Sequence, residues 1–132
     1  MAHTITVLPR DRVGLVVLTG HVTGEELVRA CNGLVEDPGW APGYDEAWDF
    51  SGASEVDVSP DELRDLVACA HAYREKIGAN RVAFVTRREV VDILLHLFGL
   101  LTADLDRTYR CLGSRAEAAD WLGVPLPADG QA

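Results

Sequence analysis

The residues best able to do chemistry gather in one stretch, EVDVSPDEL from Glu55 to Leu63, where the hydroxyl of Ser59 stands among Glu55, Asp57, Asp61 and Glu62. Such a serine has two uses. As a helix cap it accepts from the backbone N–H three residues on while Glu62 reaches back, and Pro60 occupies the first helical position, where its missing donor costs nothing. As a switch it accepts a phosphate, or offers a docking edge together with Asp57, Asp61 and Arg64. A phosphate would gain ~0.3–1 kcal/mol from the positive helix end. Repulsion from the surrounding carboxylates offsets that gain, so the neighbours of Ser59 favour the cap over phosphorylation.

Elsewhere the sequence offers little for catalysis. It has no glycine-rich phosphate loop and no G-x-S-x-G elbow. His3, His21, His71 and His96 never pair at i, i+4, and Cys31, Cys69 and Cys111 lie far apart, at neither metal-ligand nor redox spacing. They read as separate, reduced, buried thiols. Paired carboxylates such as Glu25 with Glu26 fall in first helical turns, where the macrodipole accounts for them. A triad assembled only in space leaves no spacing to read. The sequence therefore points to a protein that is not an enzyme and needs no metal or other cofactor.

The elements that must position these residues follow from pattern. TITVL (4–8) and GLVVLTG (14–20) alternate as strands around a polar turn. Thr23 and Glu26 open a helix whose stripe is Leu27, Ala30, Cys31, Leu34 and Val35. A Pro- and Gly-rich loop then leads to the strand YDEAWDF, with Trp48 and Phe50 on one face. A helix from Ser59 carries Leu63, Leu66, Val67, Ala70, Tyr73 and Ile77 inward and ends at Gly78, ahead of the strand RVAFV. A third helix spans roughly 89–103, RTYRCL is a strand, and Ser114 with Glu117 opens a last helix that stops at Gly123. The order is ββαβαβαβα: an α/β domain with a five-stranded, mostly parallel mixed sheet and four helices. Residues 1–124 form one domain and 125–132 a flexible tail. In such sheets ligands and partners meet the loops after the carboxyl ends of strands, here the loops after Phe50 and Val85.

The third helix is apolar on almost every side. Val90, Val91, Leu94, Leu97, Phe98 and Leu101 form a stripe wide enough to cover a sheet, which leaves Ile93, Leu95 and Leu100, with His96 beside them, for something else. Those four residues are the candidate surface for a protein partner, a second copy of the chain, or an apolar small molecule.

The wording resembles the SpoIIAA-like group, which holds the STAS domains and the small bacterial STAS/SEC14-like proteins. The resemblance runs from Thr4 to Gly123 through DRVGLVVLTGHVTGEEL, DPGWAPGYDEAWDFSGASEVDVSPDEL, FGLLTAD and RAEAADWLG. It implies a SpoIIAA-like fold. In the anti-sigma-factor antagonists of that group a strand Asp, then Asp-Ser-Ser/Thr-Gly, opens the helix, and the second hydroxyl is phosphorylated. Asp49, Asp57 and Ser59 fall on the strand Asp, the loop Asp and that hydroxyl. Val58 and Pro60 depart from the pattern, and proline stiffens the loop where glycine would let it flex. The resemblance thus implies a non-enzymatic binding or regulatory module acting by protein–protein association, or alternatively a carrier or sensor of an apolar small molecule or lipid.

Net charge limits the partners. At −9 the average surface repels nucleic acid and anionic headgroups. No run reaches the length of a membrane span and the N-terminus lacks a signal pattern, so a cytoplasmic protein without stable membrane insertion is expected.

Overall fold

The computed structural model describes residues 3–128. Strands β1 (His3–Leu8), β2 (Val13–Thr23), β3 (Asp45–Asp57), β4 (Asn80–Val85) and β5 (Arg107–Leu112) form one sheet in chain order. β1 is antiparallel to β2, and every later pairing is parallel. The helices are α1 (Gly24–Glu36), α2 (Pro60–Ala72), α3 (Arg74–Ile77), α4 (Glu89–Leu101) and α5 (Arg115–Leu122). Because the strands lie in chain order, the crossovers all run the same way, and crossovers of one hand then place their helices on one face. There α1 and α4 cover Val16, Leu18, Trp48, Phe50, Val82 and Phe84. α5 covers the opposite face, packing Ala118 and Leu122 on Val13, Leu15, Ala47, Ala83 and Val85. Trp48 and Phe50 share a face, as period two requires.

Three details differ from the sequence reading. β3 does not end at Phe50. It continues to Asp57, paired with the end of β2 from Thr19↔Gly52 to Thr23↔Asp57, after one register shift at Val17/Thr19 and across a second at Gly20/His21. Small and acidic residues hide this extension from propensity; backbone pairing with β2 holds it, and Ala53 and Val56 pack it on the core. The stretch after Phe50 is therefore a two-stranded ribbon, and the loop shrinks to Val58 and Ser59. The helix from Ser59 also breaks at Tyr73, giving five helices rather than four; the one-turn α3 turns Ile77 into the core and offers its carbonyl to Gly43 N–H at 2.8 Å.

The third difference concerns α4. Val91 and Leu95 are its buried residues, whereas Val90, Leu97 and Leu101 of the expected sheet-facing stripe are exposed. A helix apolar at nearly every position carries no phase in its periodicity, so sequence alone cannot say which side faces in. Residues 125–128 lie against the molecule, with Leu126 on the α5-side core and the Pro127 and Ala128 carbonyls accepting from Arg115. The remainder of the tail expected to be flexible, 129–132, lies outside the described residues.

Candidate functional site

Residue parity on β3 sends Glu46, Trp48 and Phe50 toward α1 and α4, and Asp45, Ala47 and Asp49 toward α5. Each face therefore receives a buried carboxylate. Asp49 accepts from Arg115 through Nε at 2.9 Å and Nη2 at 2.7 Å, and from the Ser51 hydroxyl at 2.6 Å. It is a structural tie between β3 and α5. Glu46 accepts from Trp48 Nε1 and Asn80 Nδ2, each at 2.8 Å, and from Arg107 Nη2 at 2.5 Å. Burial disfavours the Arg107 charge, but the adjoining Glu46 carboxylate, together with Tyr109 and Cys31, outweighs this and raises its pKa.

Above the Glu46–Arg107 pair lies an apolar groove between α2 and α4. Its walls are Leu63, Leu66 and Ala70 on one side and Leu94, Leu95 and Phe98 on the other, around a cavity of about 60 Å³. Among the described residues no buried side-chain nitrogen or oxygen lacks a partner, so nothing polar in the floor awaits a ligand.

The α2 edge of this region begins at Ser59. Its hydroxyl accepts from Glu62 N–H at 3.1 Å while Glu62 accepts from Ser59 N–H at 3.0 Å, closing the capping box. The second Glu62 oxygen accepts from Glu25 N–H at 3.0 Å, so one carboxylate caps two helices. These bonds, Ser59 N–H first and Glu25 N–H second, hold Glu62 below the usual carboxylate range. Asp57 ends β3, 3.9 Å from His21; Asp61 and Arg64 pair with each other at 3.2 Å on the exposed first turn of α2. Asp57, Ser59, Asp61 and Arg64 thus share one exposed polar rim.

The α4 edge is different. Val90 is 73% exposed, Ile93 61%, Leu97 44%, Leu100 74% and Leu101 47%. Of the four candidate residues, Ile93, His96 and Leu100 face outward. Leu95 does not: it is 8% exposed and packs on the sheet, so it belongs to the core and the groove wall. From Ile93 to Leu101 no residue carries a formal charge with histidine neutral. Arg88 anchors the start of α4 by donating to the Ser54 carbonyl at 2.6 Å, and no side chain caps the helix.

Two groupings escaped the sequence reading because their members come from different elements. Asp92 and His96 of α4 meet Cys111 of β5 with ligand-type atoms within 4.8 Å of one another. Burial, then the bond to Asp92 and its charge, push the Cys111 thiol up to about 12, so it keeps its proton at neutral pH. Beside them is a wide, open depression of about 630 Å³ bordered by His96, Leu100 and Arg110. The other grouping joins Cys31 of α1 to Cys69 of α2, their sulfurs 3.3 Å apart. Only heptad positions along two helices not yet known to be neighbours could have signalled it.

Comparison with known proteins settles the fold. The chain is similar to an uncharacterised protein of the DUF3478 family with a SpoIIAA-like fold from Shewanella loihica PV-4, at TM-score 0.60 and 16% identity over 92% of each chain. The fold is SpoIIAA-like. It is also similar to the anti-sigma factor antagonist SpoIIAA in its unphosphorylated form, at TM-score 0.51 and 12% identity, over 92% of this chain and 98% of that one. No protein-family model matches the sequence, and no curated protein is significantly similar to it. Among the described residues no helix is long and apolar enough to cross a membrane.

Proposed function

We propose that this SpoIIAA-like domain is a non-enzymatic, cytoplasmic binding or regulatory module that works through protein–protein association at the outer face of α4. The carrying observation is the set of five large apolar side chains, Val90, Ile93, Leu97, Leu100 and Leu101, that the fold leaves in water. Their own domain gains nothing from that exposure. A second copy of the chain is the simplest partner, because the uncharged run from Ile93 to Leu101 lets two copies meet there without opposing the net charge of −9. On this reading Asp57, Ser59, Asp61 and Arg64 are polar docking groups at the other edge of the groove, and Ser59 is first a cap.

A carrier of lipids or drug-sized apolar molecules is less well supported. Such sites span roughly 300–1,000 Å³ and bury most of the ligand. The groove holds about 60 Å³, and the larger depression by His96 and Arg110 is open.

Sedimentation equilibrium tests the association. The wild type is expected at twice the chain mass, and Ile93→Glu and Leu100→Glu as folded monomers. A wild type that stays monomeric at its highest soluble concentration would remove self-association; unchanged dimers in both variants would remove α4 as the interface.

A further inference from the structure

The seam between α1 and α2 fixes two sulfurs in register. At its start Gly24 lies so close to α2 that an added Cβ would sit 2.3 Å from Glu62 Cβ. Seven residues further along both helices, Cys31 meets Cys69 at 3.3 Å. Two parallel helices in contact at positions two turns apart hold their facing side chains in a set register. Glu62, bonded to the N-termini of both helices, locks that register. The two sulfurs are therefore neighbours by construction, and both side chains are only half-buried.

We propose that Cys31 and Cys69 form a modification site, a dithiol that peroxide converts to a disulfide joining α1 to α2. The pair is asymmetric. The bond with Cys69, then burial, push the Cys31 thiol up, while the bond with Cys31 brings Cys69 down against its own desolvation, with help from the Arg107 charge. In the proposed reaction Cys69, the less buried sulfur and the one whose pKa is lowered, is the attacking thiolate, and Cys31 follows as the resolving thiol. The Cys69 thiolate attacks one peroxide oxygen: an S–O bond forms, the O–O bond breaks, and the departing hydroxide takes a proton to leave as water. Cys31 then attacks the Cys69 sulfenic sulfur. The S–S bond forms, the S–O bond breaks, and hydroxide leaves as a second water with the Cys31 proton. Two thiols lose two electrons and one peroxide gains them.

The link spans positions 38 residues apart in sequence and stands at the groove, which Cys31 lines. Its formation stiffens the α2 side of that groove.

The test treats the full chain with a slight excess of hydrogen peroxide and then maps it without reduction. The expected result is an intramolecular Cys31–Cys69 link, an intact mass lower by two hydrogens, and a Cys111 that still alkylates. The oxidised chain should melt ~5–15 °C higher, reversibly on reduction. Cys111→Ser should behave as wild type, whereas Cys31→Ser should stop at a Cys69 sulfenic acid that dimedone traps. Oxidation of Cys111 ahead of the pair, or addition of oxygen to Cys31 and Cys69 without a link, overturns the proposal. Both outcomes are read on the wild-type chain, so neither depends on a variant folding.

Discussion

α2 and α4 are each 13 residues long and form the two walls of one groove, yet they are finished in opposite ways. α2 has a closed capping box, proline at its first position, and charged Asp61, Arg64 and Asp65 turned to water. α4 has no side-chain cap and turns Val90, Ile93, Leu97, Leu100 and Leu101 to water instead. α2 is built to end at its own surface. α4 is built as if its surface continued into another molecule, since scattered exposed apolar residues are ordinary but a contiguous helical face of them is not.

The largest expected effect comes from breaking the floor common to both walls. Glu46→Ala strands Arg107 in the core and should cost about 3–5 kcal/mol in denaturant unfolding. Next, Leu95→Ala against Leu100→Ala separates the two sides of α4. Loss of the inward leucine should cost about 2–5 kcal/mol, whereas the outward change should stay within about 0.5 kcal/mol for the monomer. Equal losses would mean that Leu100 is packed too. A smaller contrast lies in the caps: Ser59→Ala should destabilise by about 1 kcal/mol. Arg88→Ala removes no side-chain cap from α4.

The smallest effect is pH-dependent and ties α2 to the residues just beyond α4. His71 donates through Nδ1 to the Val67 carbonyl at 2.9 Å, and its Nε2 pairs with the Asp104 carboxylate at 3.0 Å. The Val67 carbonyl first and Asp104 second raise the pKa of His71 above its ordinary 6.5, and the His71 bond lowers that of Asp104 below 3.8. The raised histidine contributes stability below pH 6.5 that fades as pH climbs through its folded pKa. The lowered aspartate contributes above pH 3.8 and loses that as pH falls through its own. Asp104→Asn should therefore lower the melting temperature most between pH 3.8 and 6.5, and hardly at all well above that window.

Much of the fold was legible because its signals are local. The strands Thr4–Leu8 and Arg107–Leu112, the cap residues Thr23, Ser59 and Ser114, and the stop at Gly123 are each written within a few positions. What was not legible depends on partners distant in sequence. Asp49 meets Arg115 across 66 residues and Glu46 meets Arg107 across 61, and no spacing rule connects them. The ribbon at 51–57 exists because β2 supplies the matching backbone. For the candidate site, the sequence showed that α4 has more apolar surface than a sheet needs, but its uniform composition concealed that Leu95 turns inward while Val90, Leu97 and Leu101 turn out.

Amide hydrogen exchange measured over a range of protein concentrations puts the two helices side by side most directly. If α4 is an interface between copies, protection across Glu89–Leu101 rises with concentration while Pro60–Ala72 stays constant. Exchange in α4 that ignores concentration, or that changes in step with α2, would contradict the assignment.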